Sequence, residues 1–198
     1  MCPATLAPSP RRQDLLEQAY RYVLEHGVAD LSLRPLAAAI NSSPRVLLFL
    51  FGSKAELVQA LLARAREEEL ELLGRVRAAS ADEDISAVAI ELWRWLAAPE
   101  HSALLTLWVE GYSRSLVEPG GAWAGFAQGT VTDWLDLLAD AQPLRLRRTA
   151  AGRVERTVVL ALLRGALLDL LATGERRRVT TAVTRGVREL AASAAGRG

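Results

Sequence analysis

The sequence predicts an all-α protein, and three observations support that class. Hydrophobic residues make up 51% of the 198 positions, and Ala, Leu and Arg, which favour helices, are the dominant residue types. Apolar residues recur at spacings of three and four rather than two. Short breaks that contain Gly or Pro separate these periodic segments, as in the loops of helical bundles. We therefore expect about nine helices and no strand.

The first helix is expected to begin at Ser9-Pro10 and to stop near Gly27. Ser is a favoured N-cap, Pro fits the first helical position, and Gly tolerates the left-handed conformation that ends many helices. The apolar periodicity assigns one buried face to this helix, formed by Leu15, Leu16, Ala19, Tyr22 and Val23.

The stretch 30–57, which starts at Asp30, holds the most informative local signals in the chain. Ser32 is placed to cap a short helix that runs to Ile40, with Pro35 tolerated in the opening turn. Asn41 is expected to end that helix, because Asn accepts the left-handed conformation that a sharp turn requires.

The third helix of the chain is expected to begin directly after this turn. Ser43 would be its N-cap and Pro44 its first helical residue. Ser53 and Glu56 then form a capping box, which would start the longer fourth helix of the chain. Two helices joined by a three-residue turn and braced by further helices form the helix-turn-helix pattern.

The segment from about Arg11 to Leu61 resembles the DNA-binding domain of TetR-type bacterial transcriptional regulators. The agreement lies in Gly27, Leu31-Ser32-Leu33, Leu36-Ala37, Phe51-Gly52-Ser53-Lys54 and Leu57, which stand in the register of that family. The resemblance implies an N-terminal three-helix helix-turn-helix DNA-binding domain over 9–55, with a fourth helix over 53–78 as a connector. It further implies a C-terminal helical ligand-binding and dimerisation bundle over 80–194.

The resemblance also implies which residues contact DNA. Those expected in the major groove are Arg34, Ser43, Pro44, Arg45 and Val46, and those expected along the backbone are Ser32, Phe49 and Lys54. Arg45 is expected to read a base, because its guanidinium fork matches the paired acceptors of guanine, and Arg34 is a second candidate. Lys54 is expected to bind phosphate. The alternative for both arginines is a solvated surface charge.

Two residues in the helix that begins at Pro44 depart from the family pattern. Leu48 stands where the family usually has a phosphate-binding Tyr, and Leu50 stands where it usually has His. Leu makes neither hydrogen bond. A solvent-facing Leu48 or Phe49 would be able to contact thymine methyl groups, but we favour packing of both on the fourth helix. Either arrangement predicts weaker DNA binding than is typical of the family, or an unusual site preference.

Three further helices are expected at about Ile85–Ala98, Glu100–Val117 and Trp123–Ala141, after a turn at Ser80–Asp84. By resemblance these helices surround an effector pocket. The candidate lining residues suit an apolar or aromatic small molecule. Ordinary core packing is the more frequent role of aromatic residues at helical spacing. The candidates are Trp93, Trp108, Tyr112, Trp123, Phe126 and Trp134.

The last two helices have a different pattern. The segment Arg153–Ala172 is apolar nearly all round, which predicts burial on two sides. The segment after Gly174 carries an apolar stripe that runs to Ala194. In the resembled family these two helices form a homodimer, and the alternative is that both belong to the core of a monomer. The interface candidates are Val158, Leu162, Val179, Val183, Gly186, Val187 and Leu190.

Composition and charge exclude several classes of protein. A net charge of +1 excludes a globally basic nucleic-acid binder but not a local basic face. Cys2 is the single cysteine, so no intramolecular disulfide is possible. The first twelve residues, MCPATLAPSPRR, lack the apolar stretch of a signal peptide and are expected to form a disordered leader. The apolar window 158–172 contains Arg164 and Asp169, so a cytoplasmic protein without membrane contact is expected.

No catalytic residue, cofactor or metal site is expected. His26 and His101 are the only histidines, and neither lies in a metal-binding or catalytic motif. Taken with the resemblance, the sequence predicts a ligand-responsive, homodimeric repressor that binds a palindromic double-stranded DNA operator. The alternative is a helical ligand-binding or protein-interaction dimer whose helix-turn-helix has weak or lost DNA binding.

Overall fold

A computed structural model describes residues 9–28, 31–79 and 84–195. These residues form α-helices and a single 3₁₀ turn, and no strand occurs among them. The predicted all-α class is confirmed. Most of the expected N-terminal leader, Asp30 and the turn residues 80–83 lie outside the described residues, as does the side chain of Ala194.

The helix boundaries follow the sequence signals closely. The 3₁₀ turn Pro99–His101 precedes the sixth helix. The four-residue helix Leu144–Arg147 was not predicted, because it is too short to show apolar periodicity. The seventh helix begins at Phe126 rather than at Trp123, because Gly125 adopts a positive φ of 74° that interrupts the helix. The helices are α1 (Pro10–His26), α2 (Leu33–Ala39), α3 (Pro44–Phe51), α4 (Lys54–Ala79), α5 (Ile85–Leu96), α6 (Ser102–Val117), α7 (Phe126–Asp140), α8 (Leu144–Arg147), α9 (Ala150–Thr173) and α10 (Arg176–Ala195).

The chain divides into two compact units. The first unit contains the described residues up to Arg66 together with Thr106–Ala127, and the second contains Glu67–Leu105 and the residues from Gln128 onward. The helix-turn-helix therefore shares its unit with most of α6. The expected domain limits of 9–55 and 80–194 remain predictions.

Helix α1 has the predicted ends. The Ser9 hydroxyl accepts a hydrogen bond from the Arg12 backbone N–H, and Gly27 has a φ of 78°. The core residues of α1 are Leu15, Ala19, Tyr20 and Val23. The assignment of Tyr22 to the buried face is wrong, because Tyr22 is only half-buried. Its ring stacks on the exposed His26, with ring centroids 4.1 Å apart.

In the first unit, α6 approaches α4 closely at Gly111. A Cβ added there would lie 3.1 Å from Leu62 Cδ2 and 3.2 Å from Phe126 Cε1. Leu57, Leu61 and Leu62 of α4 are buried in this unit. The absent side chain at Gly111 therefore brings the two helices into tight contact.

In the second unit, α5, α9 and α10 pack against one another. Gly174, with a φ of 70°, forms the left-handed turn between α9 and α10. Across this turn Arg178 donates to both carboxylate oxygens of Asp169, at 2.8 and 2.6 Å. The hydrogen bonds and charge of Arg178 hold the pKa of Asp169 below its usual value. The pair connects α9 to α10 at the surface beside their turn.

Gln142 and Gly152 connect the end of α7 to the start of α9. The buried Gln142 amide donates to the Gly152 carbonyl at 2.9 Å and accepts from Arg156 at 3.1 Å. Gly152 lies so close to the preceding helix that an added Cβ would be 2.1 Å from the Leu146 carbonyl oxygen. Only glycine fits this position, because the neighbouring atoms belong to the backbone.

We predict that Gly152→Ala destabilises the protein by roughly 1–3 kcal/mol, because the new methyl group must displace the backbone at Leu146. The matched control is Gly74→Ala at an exposed position of α4, where nothing lies within 4 Å of the added Cβ. That change should stabilise by about 0.5–1 kcal/mol through helix propensity. Urea denaturation measures both variants, and equal stabilities would contradict the prediction.

Candidate nucleic-acid interface

The turn between α2 and α3 has the predicted conformation. Asn41 has a φ of 50°, and the Ser42 backbone N–H donates to the Ala37 carbonyl at 2.8 Å. The Ser43 hydroxyl then accepts from the Val46 N–H at 3.2 Å, and Pro44 is the first residue of α3. The helix-turn-helix predicted from these residues is therefore present.

Helix α3 has one buried and one exposed face. Leu47 and Phe51 are buried, whereas Arg45, Leu48 and Phe49 are exposed. The exposed fraction is 41% for Leu48 and 86% for Phe49. Our expectation that Leu48 and Phe49 pack on the fourth helix is wrong. The helical period explains the difference, because positions 45, 48 and 49 share one face and positions 47 and 51 occupy the other.

Arg12 of α1 fixes the C-terminal end of α3. Its Nε donates to the Leu50 carbonyl at 3.3 Å, and its guanidinium lies over the Phe51 ring, 4.8 Å from the centroid. These contacts combine a charge-assisted hydrogen bond with a cation–π interaction. Sequence reasoning missed this role, because no local pattern relates Arg12 to residues 38 positions further along the chain.

The exposed surface of the helix-turn-helix is positively charged. Arg34, Arg45 and Lys54 are exposed, and the segment 31–55 contains no Asp or Glu. Within the described residues, none of these three cations forms an ion pair. Their charges are therefore available to an anionic partner such as a DNA backbone.

Ser32 occupies the N-cap position of α2, but its hydroxyl makes no capping hydrogen bond. Our expectation that it caps this helix is therefore wrong. The side chain is exposed and retains its capacity to donate to a ligand. The remaining predicted contacts, Pro44 and Val46, are half-buried at the start of α3.

Glu110 of α6 binds the corner between α1 and α2. Its carboxylate accepts a hydrogen bond from the Val28 backbone N–H at 3.0 Å. Val28 is buried, so the acceptor satisfies a donor that water does not reach. No sequence signal identifies this contact, because the two residues are 82 positions apart.

The predicted effector residues are buried aromatic side chains, except that Tyr112 is half-buried. In the first unit, the ring centroids of Trp108 and Tyr112 are 5.6 Å apart, and Phe126 lies close to Gly111. Trp123 belongs to the same unit. In the second unit, the Trp93 indole donates to Thr180 Oγ1 at 3.1 Å, and the Trp134 indole donates to the buried Glu69 carboxylate. A ligand-binding role for these six residues remains a prediction.

The predicted dimer interface is only partly accessible. Val179, Val183 and Val187 are buried within the single chain, and a Cβ on Gly186 would lie 3.0 Å from Leu162 Cδ2. The assignment of these three valines to a partner-facing surface is wrong, because they already pack inside their own unit. Leu162 and Leu190 are half-buried, and Val158 is exposed.

Helix α9 carries an exposed apolar stripe that the sequence did not separate from its buried face. Its residues alternate in spacing between four and three, which is the heptad pattern of packed helix pairs. Val158 is 40% exposed and Leu168 is 53% exposed, although both are apolar. The stripe consists of Val154, Val158, Ala161, Gly165, Leu168 and Ala172.

The described residues hold no metal cluster and no single membrane-spanning helix. No group of three or more His, Cys, Asp or Glu side chains there is placed to hold a metal ion. No single described helix is long and apolar enough to cross a membrane; Pro44–Phe51 and Lys54–Ala78 reach that length and composition only as a pair bent by 71°.

Comparison with solved structures identifies the fold. A TetR transcription regulator from Haloarcula marismortui superimposes with a TM-score of 0.73 at 16% identity, covering 92% of this chain and 97% of the other. A TetR-family regulator from a Rhodococcus species gives 0.71 at 16% identity, with 92% and 99% covered. The multidrug binding protein EbrR, complexed with proflavin, gives 0.61 at 27% identity, with 88% and 98% covered. The chain therefore has the TetR-regulator fold, as the sequence resemblance predicts.

Comparison by sequence gives no further relatives. No protein-family model matches the chain, and no curated protein matches it.

We predict that Ser43→Ala destabilises the protein by about 1 kcal/mol, because the Val46 N–H loses its capping acceptor. Ser32→Ala is the matched control, since Ser32 occupies an equivalent position without a capping hydrogen bond. Its stability should equal that of the wild type. Thermal denaturation of both variants measures the difference, and equal losses at the two serines would contradict the prediction.

Proposed function

We propose that this protein is a sequence-specific DNA-binding transcriptional regulator that acts as a ligand-responsive, homodimeric repressor. The observation that carries the proposal is the exposed face of α3. Arg45 lies on this face beside Leu48 and Phe49, and the segment 31–55 contains no carboxylate. A helix of this kind fits the major groove of B-DNA.

The polar residues expected to contact DNA, together with Pro44 and Val46, have separate roles in this arrangement. Arg45 donates two hydrogen bonds to a guanine edge, and Arg34 is a second candidate for base contact. Ser32 and Lys54 bind backbone phosphates and set the position of α3. Ser43, Pro44 and Val46 shape the start of that helix at the groove, and Ser43 is already engaged as its N-cap.

The stripe on α9 supports self-association. Exposed apolar side chains in a heptad pattern are costly in water and pack well against a second helix. Small residues at Ala161 and Gly165 permit close approach. In a symmetric dimer joined through α9, a two-fold axis would relate the two α3 helices. This symmetry selects a palindromic operator with half-sites one helical turn or a small multiple apart.

The effector is proposed to be a small molecule with aromatic or apolar character. EbrR is complexed with proflavin in one solved structure, which is 27% identical to this chain, and with ethidium in another, which is 26% identical. Within the second unit, the buried Trp134 offers a stacking surface, and Glu69 beside it offers one carboxylate. Ligand binding would release DNA only if the ligand has a higher affinity for the conformation that does not bind the operator.

A second function has one specific observation in its favour. The exposed Leu48 and Phe49 also suit an apolar protein interface, in which the helix-turn-helix no longer binds DNA. Salt dependence separates the two functions, since phosphate contacts weaken steeply as salt concentration rises and apolar contacts do not.

The experiment that tests the proposal is selection of bound sequences from random duplex DNA at two salt concentrations. Recovery of a palindromic motif, with affinity that falls as salt is raised, is the expected result. Absence of any motif at low salt, with or without added proflavin or ethidium, would overturn the proposal and favour the protein-interaction function.

We predict that Arg45→Ala weakens binding to the selected operator by about tenfold to a hundredfold and relaxes the preference for one G·C pair. Lys54→Ala is the control for a phosphate contact. It should weaken binding to all sequences uniformly and reduce the salt slope by about one. Unchanged operator affinity in the Arg45 variant would remove this residue from the base-reading set.

We predict that Leu168→Arg converts the dimer to a monomer, because a charge within the α9 stripe cannot be buried against a second copy. Leu116→Arg, at a position that is 65% exposed on α6, is the matched control and should leave the dimer intact. Sedimentation velocity measures both. A Leu168→Arg protein that stays dimeric would place the interface elsewhere.

A further inference from the structure

The most exposed large apolar side chain on the helix-turn-helix is Phe49, which is 86% exposed next to Leu48 at 41%. A side chain this exposed contributes little to the core that holds α3. The buried face of α3 is complete without it, because Leu47 and Phe51 supply the core contacts. Phe49 and Leu48 therefore leave an apolar surface that is open to a partner outside the chain.

The position of Phe49 favours DNA as that partner. Phe49 lies four residues after Arg45 and shares its exposed face of the helix. The surrounding segment carries three cations and no carboxylate, which complements a polyanion. A second copy of this chain would bring the same cations face to face, and a neutral protein surface would leave their charges uncompensated.

We propose that Leu48 and Phe49 form an apolar reading surface for the 5-methyl group of thymine, so that the operator half-site carries a thymine beside the base pair read by Arg45. This inference rests on the proposed function. The C5-methyl group is the one apolar feature that a base pair presents in the major groove, and aliphatic or aromatic carbon is its natural partner.

Leu48 and Phe49 would also hold α3 on DNA differently from a helix whose side chains bind phosphate. Leu48 and Phe49 donate no hydrogen bond to phosphate, so neither side chain fixes the position of α3 along the backbone. Contact with a thymine methyl group supplies affinity at a defined base step instead. Recognition by α3 therefore combines one polar base contact, from Arg45, with one apolar contact.

The test replaces thymine by deoxyuridine, one position at a time, in the palindromic operator obtained by selection. Deoxyuridine lacks only the 5-methyl group, so base pairing and the backbone are unchanged. Wild-type affinity should fall about fourfold at one thymine in each half-site, the effect of losing one buried methyl group, and should be unchanged at the others.

The variant Phe49→Ala identifies the residue responsible. On the thymine operator it should bind more weakly than the wild type, and its affinity should no longer depend on the methyl group at the sensitive position. Leu48→Ala should reduce the same dependence in part. The matched control is Leu144→Ala, at an 81% exposed leucine in the second unit, which should retain the full wild-type sensitivity.

Three outcomes would overturn the inference. Wild-type binding that tolerates deoxyuridine at every position would leave the regulator function intact but exclude methyl readout. A Phe49→Ala protein that keeps the wild-type sensitivity would assign the methyl contact to another residue. A Phe49→Ala protein with unchanged DNA binding but altered oligomeric state would show that this face contacts protein. Failure to obtain any operator would instead remove the proposed function, and this inference with it.

Discussion

The outward orientation of α3 depends on a small set of contacts on its inner side. Leu47 and Phe51 are buried, and Arg12 holds the helix end through the Leu50 carbonyl and the Phe51 ring. A helix of eight residues is too short to be stable alone in water, so tertiary packing fixes both its existence and its rotation. If it rotated by one residue position, about 100°, Arg45 would leave the exposed face.

The exposed apolar residues on α3 and α9 have different physical consequences. On α9 they repeat along several turns, which matches a long complementary helix. On α3 they form one compact patch beside a cation, which matches a small apolar group next to a polar one. The two surfaces lie in different units, so the proposed self-association and the proposed DNA contact would use different side chains.

Local signals in the sequence were sufficient for the helix-turn-helix but not for the side-chain environment. Ser9, Asn41 and Ser43 act through neighbours within a few positions, so their roles were predictable. The exposure of Phe49 and the burial of Val183 depend on which elements pack around them, and an apolar residue type alone does not reveal that. The roles of Arg12 and Glu110 rest on contacts distant in sequence.

The hydrogen bond between Glu110 and Val28 means that the helix-turn-helix is not an autonomous module. Residues up to Arg66 share their core with Thr106–Ala127, which is synthesised later, so the unit is complete only after the intervening chain has emerged. A fragment truncated after Arg66 would expose Leu62 and leave the Val28 N–H without its acceptor. A chimaeric regulator built from this protein would have to transfer both segments together.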